Sequence, residues 1–253
     1  MIQPDFIFYD VVDSTNDIAK ELIRCKSNTN GMTIQAGHQL KGRGRKNNVW
    51  ESNPNENLLF SIIITPQSIH PSRQFLINKL VAVTLRDFLQ THISDAAVKI
   101  KWPNDIYVEG KKIAGILIEH IITGASITHS IIGIGVNINQ TDFNPLLPCP
   151  TSLKNETGQH HDIKKLCVDY SGAFLRAFDS LTAENEPALT ATYTKHLFQL
   201  REKHNYLIDS KPTTATIIGI DASGCLLMEM PSGNVETFEL NRVTFNVKSI
   251  KTN

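Results

Sequence analysis

The chain has 253 residues, which is more than the commonest single domain and predicts either one large domain or a large and a small one. Lysine and arginine contribute 25 residues and aspartate and glutamate 25, so the formal net charge is zero and the positive field typical of a general nucleic-acid binder is absent. The four cysteines show no CxxC spacing, which argues against a zinc site, and no run approaches the roughly 20 apolar residues of a membrane span.

The first predicted elements begin almost at the N-terminus. Residues 6–11 predict a strand, and Asp13 or Ser14 predicts the N-cap of a helix that continues to about Arg24. A winged-helix DNA-binding domain needs about 60 residues, so we expect no such domain before this strand and no DNA partner. The N-terminus also lacks a basic signal-peptide start, which favours a cytoplasmic protein.

The centre of the chain is rich in predicted strands. A helix is expected over residues 72–91, and Glu109-Gly110 predicts a hairpin turn. The strands are expected at residues 31–35, 58–64, 98–102, 105–108, 112–122 and 126–137. Consecutive hairpins predict an α/β (α+β) domain in which a mixed or antiparallel sheet carries helices on one face.

The last third changes character twice. Residues 163–197 have a helical pattern that is broken near Glu186-Pro187. Short strands separated by turns are then expected at residues 215–220, 225–230, 235–240 and 244–247. They predict a small C-terminal β-barrel, so we divide the chain into a large domain of residues 1–205 and a small one of residues 206–253.

A glycine- and arginine-rich loop at residues 41–46 alternates flexible backbone with positive charge. Its amides and the guanidinium groups of Arg43 and Arg45 could envelop a phosphate or a carboxylate. A solvated basic loop, or a weak RNA-binding stretch, explains the same six residues when they are considered alone. The interpretation therefore depends on the surrounding motifs.

Several motifs accompany this loop in a fixed order. They are Asp-Ser-Thr-Asn at 13–16, Trp50, Lys-Trp-Pro-Asn-Asp at 101–105, Lys-Lys-Ile-Ala-Gly-Ile-Leu-Ile-Glu at 111–119 and Gly-Ile-Gly-Val-Asn-Ile-Asn at 133–139. In this order and spacing, they closely resemble the catalytic domain of biotin protein ligases, and the resemblance covers nearly the whole chain. It implies a class II synthetase-like domain of mixed sheet and helices followed by an SH3-like β-barrel, in the stand-alone form without a DNA-binding domain.

The resemblance also implies a reaction in two steps. The carboxylate of biotin attacks the α-phosphate of ATP to give biotinyl-5'-AMP, which then acylates one lysine of a biotin carboxyl carrier protein. The substrates would be biotin and ATP with Mg²⁺, and the carrier would belong to acetyl-CoA carboxylase or a related enzyme. An exposed strand edge would suit a homodimer as well as carrier docking, so monomer and homodimer both stay open.

Site residues follow from the matching motif positions. The resemblance implies catalytic roles for Arg45, Lys112 and Asp105. It implies biotin contacts for Ser14, Thr15, Asn16, Gln39, Arg43, Gly44, Arg45, Lys112 and Gly115. It implies nucleotide contacts for Arg45, Trp50, Asn104, Asp105, Lys112 and Asn137. Asp105 would either hold Mg²⁺ or help the incoming lysine lose its proton.

Simpler interpretations exist for several of these residues. A helix N-cap explains Ser14, a core position explains Trp50, and a solvated hairpin lysine explains Lys112. Asn47 stands where the family commonly has glycine, which predicts a stiffer loop. Two other functions are considered: a lipoate or octanoate ligase, whose characteristic loop differs, and a nucleic-acid-binding protein, which the zero net charge disfavours.

Overall fold

The structure, a computed structural model, describes residues 2, 4–45, 48–66, 69–94 and 96–245. Its strands are β1 Asp5–Val12, β2 Met32–Gln39, β3 Asn57–Ile64, β4 Val98–Lys101, β5 Asp105–Val108, β6 Lys111–Thr123, β7 Ser126–Asn137, β8 Lys203–Ile208, β9 Lys211–Ile220, β10 Leu226–Glu229, β11 Val235–Phe238 and β12 Val243–Phe245. Its helices are α1 Thr15–Cys25, α2 Phe75–His92, α3 Leu153–Thr157, α4 Ile163–Asp179 and α5 Glu186–Lys195. No helix in these described ranges is long and apolar enough to cross a membrane.

A seven-stranded mixed sheet forms the larger part of the molecule. Its order is β1-β2-β3-β7-β6-β5-β4. Strands β1 and β2 pair in parallel, and the other neighbours pair antiparallel. Glu109 and Gly110 adopt left-handed φ angles of 46° and 76° in the turn between β5 and β6, which suits a two-residue hairpin. The predicted mixed sheet and this hairpin are therefore confirmed.

Helices cover both faces of this sheet, so the expectation of helices on one face only is wrong. Every residue of β3 is buried. Its Ile63 packs with Ala19 of α1 in a small cluster, whereas Ile62 and Ile64 belong to the main core, to which α2 and α4 also contribute. Successive side chains of a strand point to opposite faces, so the unbroken apolar run of β3 is explained by burial on both faces.

The helical region after residue 163 consists of two helices. Helix α4 ends at Asp179 and α5 begins at Glu186, with Pro187 in its first turn. A proline at that position loses no intrahelical hydrogen bond, because the first N–H groups of a helix have no partner within it. The break predicted near Glu186-Pro187 is thus the start of a new helix.

A second sheet of five antiparallel strands follows, in the order β11-β10-β9-β8-β12. This arrangement fits the small SH3-like domain that the resemblance implies. It begins at Lys203, inside the range assigned to the first domain, and β8 was not predicted. The predicted strand 244–247 extends past Phe245, and its last two positions lie outside the described residues.

The two sheets share one continuous hydrophobic core, which includes Trp102 and Phe245. The indole N–H of Trp102 donates a buried hydrogen bond of 2.9 Å to the carbonyl oxygen of Gly224. This bond ties the segment between β4 and β5 to the C-terminal sheet. It therefore helps to fix the residues that surround the cavity described next.

Candidate active site

A cavity of about 320 Å³ lies between the large sheet, the loop after β2 and the C-terminal sheet. Every predicted site residue except Asn137 lines it: Ser14, Thr15, Asn16, Gln39, Arg43, Gly44, Arg45, Trp50, Asn104, Asp105, Lys112 and Gly115. Other lining residues include Lys101, Gly133, Gly135, Leu240, Val243 and Phe245. Motifs that are far apart in the chain thus meet at one cavity.

Uncharged polar side chains gather where α1 begins, and we call Ser14, Thr15, Asn16 and Gln39 the neutral cluster. The backbone N–H of Thr15 donates to Gln39 Oε1 at 2.8 Å, and its hydroxyl lies 3.2 Å from the same oxygen. Ser14 occupies the N-cap position and is almost fully buried as a residue, yet its side chain makes no capping hydrogen bond. The N-cap interpretation thus explains the position of Ser14 but gives no use for its hydroxyl.

The amide of Asn16 is held in one orientation. The hydroxyl of Ser61 on β3 donates to Asn16 Oδ1 at 2.6 Å, and Asn16 Nδ2 donates to the Glu119 carboxylate at 2.8 Å. Gly133 lies directly beneath, and a Cβ atom there would collide with the Asn16 amide. Glycine at this position therefore lets helix α1 approach the sheet.

Four charged side chains, Arg45, Lys101, Asp105 and Lys112, form the charged cluster. Lys112 Nζ lies 2.8 Å and Lys101 Nζ 3.8 Å from the carboxylate oxygens of Asp105. Burial lowers the pKa of the Lys101 ammonium and that of the Arg45 guanidinium, and Asp105 opposes both shifts. The cluster contains three cations and one anion, so it has a surplus of positive charge suited to an anionic ligand.

The register of the sheet puts the two clusters in line. Gly133 on β7 meets Asn16, Gly135 on the same strand is the partner of Gly115 on β6, and Gly115 is the partner of Asp105. The neutral cluster therefore lies at one end of a row of glycines and the charged cluster at the other. Because glycine has no side chain, the row leaves a flat floor between them.

Trp50 lies on this floor. A Cβ atom at Gly135 would fall 2.5 Å from Trp50 Cε2, and one at Gly115 would fall 2.9 Å from Trp50 Cζ3. Lys112 Nζ is 5.4 Å from the centre of the indole ring, within the range of a cation–π interaction. Stacking of Trp50 on adenine stays a prediction, but the structure places the ring in the cavity.

The loop of residues 42–45, which we call the arginine loop, folds back on itself. Trp50 N–H donates to Gly42 O at 3.0 Å, and Gly44 N–H donates to Asn48 O at 2.7 Å. The predicted effect of Asn47 concerns a position outside the described residues. Arg43, expected at biotin, instead directs its guanidinium to Asp17, at 2.7 and 2.6 Å.

Two asparagines predicted to contact the nucleotide donate side-chain hydrogen bonds to backbone carbonyl oxygens. Asn104 lines the cavity, but its Nδ2 donates to Ile116 O at 2.6 Å. Asn137 is buried outside the cavity lining, and its Nδ2 donates to Thr151 O at 2.9 Å. The side-chain amide of Asn137 thus joins β7 to a neighbouring segment, which explains why it is not at the cavity.

Some lining residues were not predicted as site residues. Lys101 is the first residue of the Lys-Trp-Pro-Asn-Asp motif. Its positive charge, close in sequence to Asp105 and Lys112, could have identified it as a site residue. Phe245 comes from the C-terminal sheet, and its ring centre lies 4.9 Å from Lys101 Nζ. No sequence motif marks Phe245, because its place at the cavity depends on how the two sheets pack.

The residues at the cavity do not fit a metal site held by the protein alone. Asp105 is the only acidic residue among the described lining residues, and both of its oxygens face ammonium groups. Mg²⁺ prefers oxygen ligands and is usually held by one or two carboxylates together with phosphate oxygens. The prediction of Asp105 as a Mg²⁺ ligand therefore receives no support from the geometry.

The fold and the cavity define a class of protein: an α/β domain whose binding site joins a neutral, hydrogen-bonding end to a cationic end over a glycine floor. Residues 8–137 match the Biotin/lipoate A/B protein ligase family. The chain belongs to that family.

Named relatives are similar over most of the chain. The bifunctional ligase/repressor BirA of Bacillus subtilis (strain 168) is 30% identical over 242 residues, which span 90% of this chain and 70% of the relative. The biotin--[acetyl-CoA-carboxylase] ligase of Paracoccus denitrificans is 29% identical over 226 residues, or 87% of this chain and 92% of the relative. The similarity thus extends beyond the family match into the C-terminal part.

A solved structure shows the same fold. The biotin protein ligase from Aquifex aeolicus, in complex with biotin and ATP, superposes with a TM-score of 0.78 and 23% sequence identity. The superposition covers 95% of this chain and 97% of that chain. Both the large mixed sheet and the C-terminal antiparallel sheet therefore have counterparts in that structure.

Proposed function

We propose that this protein is an ATP-dependent ligase that activates biotin as biotinyl-5'-AMP and transfers the biotinyl group to a lysine of a biotin carboxyl carrier protein. The main observation behind the proposal is the arrangement of the cavity, in which the neutral cluster and the charged cluster lie at opposite ends of the glycine floor. Family membership and the names of the relatives support it.

The neutral cluster favours biotin over lipoate as the substrate. Biotin carries a neutral ureido group with two N–H donors and one carbonyl acceptor, which hydroxyl and amide side chains can satisfy. The dithiolane ring of lipoate has no such groups, so the hydroxyl and amide groups of the cluster that face the cavity would lose their hydrogen bonds to water without gaining others. An unpaired buried polar group costs about 1–3 kcal/mol, so the cluster discriminates between the two acids.

The first step is adenylation. A carboxylate oxygen of biotin attacks the α-phosphorus of ATP, a bond forms between them, and the bond from that phosphorus to the leaving pyrophosphate breaks. Both reactants are anionic, so catalysis depends on positioning and positive charge. Arg45, Lys101 and Lys112 supply the charge, and Asp105 holds the two ammonium groups in place.

The second step is transfer. The neutral amine of the carrier lysine attacks the carbonyl carbon of the mixed anhydride, and AMP leaves. The attacking nitrogen must then lose a proton. We propose that Asp105, the one carboxylate among the described lining residues, accepts this proton as a general base. Mg²⁺ would then bind with the ATP substrate and not to the side chain of Asp105.

A carrier-labelling assay tests the proposal, with two neighbouring lysines as a matched pair. Lys112 points to Asp105, whereas Lys111 pairs with Glu156 at 3.0 Å and is about half exposed. We expect Lys112→Met to reduce biotinylation of a carrier domain by roughly 10²–10³-fold, the usual cost of losing one transition-state partner, and Lys111→Met to leave it near wild type. Failure of the wild-type protein to label a competent carrier would refute the proposal.

We also propose a cytoplasmic location, where ATP and the carboxylases that carry biotin are available. The expected partner is the carrier protein, with the ligase acting as a monomer or homodimer and without DNA. Zero net charge supports the last point, because non-specific DNA binding depends on neutralising phosphates with lysine and arginine.

A further inference from the structure

We propose that Asp17 is a positioning residue that holds the arginine loop closed over the adenylate intermediate. This inference rests on the proposed function and concerns the retention of the intermediate, a property separate from its formation. Asp17 belongs to the first turn of α1, directly after the neutral cluster, and does not itself line the cavity.

The contact between Asp17 and the arginine loop is a two-point ion pair. Arg43 Nη1 and Nη2 donate to the two carboxylate oxygens of Asp17 at 2.7 and 2.6 Å. Arg43 lowers the pKa of the Asp17 carboxyl group, and Asp17 raises the pKa of the guanidinium, so both are ionised at neutral pH. A planar pairing of this kind fixes orientation as well as distance.

Asp17 is linked to the neutral cluster through Lys20 and Glu119. Lys20 Nζ lies 3.5 Å from Asp17 and 2.7 Å from Glu119, and the second oxygen of Glu119 accepts from Asn16 at 2.8 Å. Asp17 therefore acts on the loop, whereas Glu119 acts on the neutral cluster. The two carboxylates should have separable effects on retention of the intermediate and on biotin affinity.

Closure matters because biotinyl-5'-AMP is a mixed anhydride that water and stray amines attack. A loop that opens often would lose the intermediate before the carrier arrives. A simpler role for Asp17 is that of an acidic residue in the first turn of a helix, which stabilises the helix dipole. That role affects protein stability but leaves the lifetime of the intermediate unchanged.

The experiment compares four variants with wild type: Asp17→Asn, Asp17→Glu, Glu119→Gln and the control Asp13→Asn. Asp13 also pairs with a residue beside the loop, since Lys41 Nζ lies 2.7 Å from it, but both side chains are at least half exposed. Each protein is loaded with biotin and MgATP carrying label in the α-phosphate. It is then freed of small molecules, and the bound adenylate is followed over time.

We expect Asp17→Asn to lose the bound adenylate about fivefold faster than wild type, which corresponds to about 1 kcal/mol for a well-formed, partly exposed pair. Asp17→Glu and Asp13→Asn should match wild type, and biotin affinity without ATP should be unchanged in Asp17→Asn. Glu119→Gln should weaken biotin binding instead. Added salt should shorten adenylate retention in wild type but have little effect in Asp17→Asn, because ions screen an exposed pair.

Equal retention in Asp17→Asn and wild type, with the same salt response, would overturn the role of Asp17. The proposed function would stand in that case, because both proteins would have made the adenylate. Wild-type protein that forms no adenylate at all would refute the proposed function first, and the role of Asp17 with it.

Discussion

Substitution of Gly135 by alanine would add one methyl group to the floor beneath Trp50. The added Cβ atom would lie 2.5 Å from Trp50 Cε2 and 2.8 Å from both Cζ2 and Nε1. Carbon atoms in contact prefer about 3.5–4.0 Å, so the two groups must separate by about 1 Å or more. Either the sheet or the indole ring must move.

The ring is expected to move, because Gly135 lies in the middle of a seven-stranded sheet whereas Trp50 follows a loop. Overpacking of this size costs about 1–3 kcal/mol. If the cost falls on loop closure, kcat/KM for adenylate formation decreases roughly 5- to 150-fold. The melting temperature should change little, because the open loop relieves the clash without unfolding the sheet.

Tryptophan fluorescence and adenylation rates measure these two effects. The chain has two tryptophans, and Trp102 is only 2% exposed, so a change in acrylamide quenching reports on Trp50. Gly172→Ala is the control: Gly172 lies within α4, and in the described part of the chain an added Cβ meets the end of the Arg176 side chain, 3.2 Å away. A Gly135→Ala protein with wild-type quenching and wild-type adenylation would show that Trp50 does not depend on the glycine floor.

Three further predictions each concern a single residue. Trp102→Phe removes the hydrogen bond to Gly224, so we expect urea denaturation to show a loss of about 1–3 kcal/mol; an unchanged midpoint would contradict the bond. Ser61→Ala frees the Asn16 amide, so calorimetry should show about tenfold weaker biotin binding and kinetics an unchanged KM for ATP; unaltered biotin affinity would count against the neutral cluster. Burial lowers the pKa of His120 from 6.5, so the unfolded state gains this proton first as the pH falls, and the free energy of unfolding should decrease below pH 6.5. His120→Gln should reduce that decrease, and an equal pH dependence in both proteins would exclude the histidine as its source.

The central part of the fold was predictable because its signals are local. The apolar run of β3 and the Glu109-Gly110 turn each depend on neighbouring residues, and both predictions were correct. The expectation that helices lie on one face of the sheet was wrong, since an unbroken apolar strand does not reveal what covers each side. Strand β8 was missed because Lys203, His204 and Asn205 begin it without apolar character.

Candidate site residues could be predicted from the sequence where they belong to a recognisable motif. Residues such as Lys112 and Gln39 were identified by motif position, and the fold brings them to one cavity. Motif matching was insufficient for Asn137, because it did not reveal that the side-chain amide of Asn137 donates a hydrogen bond to a backbone carbonyl. Asp17 contacts Arg43, and Phe245 contacts Lys101. Both contacts join residues that are distant in sequence, so no local sequence pattern predicts them.

The exchange of labelled pyrophosphate into ATP measures adenylation of the acid substrate directly, because it requires no carrier protein. Biotin should support rapid exchange, and lipoate or octanoate at the same concentration should support none. The neutral cluster next to the charged cluster predicts this difference. Exchange driven by lipoate or octanoate and not by biotin would refute biotin adenylation, as would an absence of exchange with all three acids.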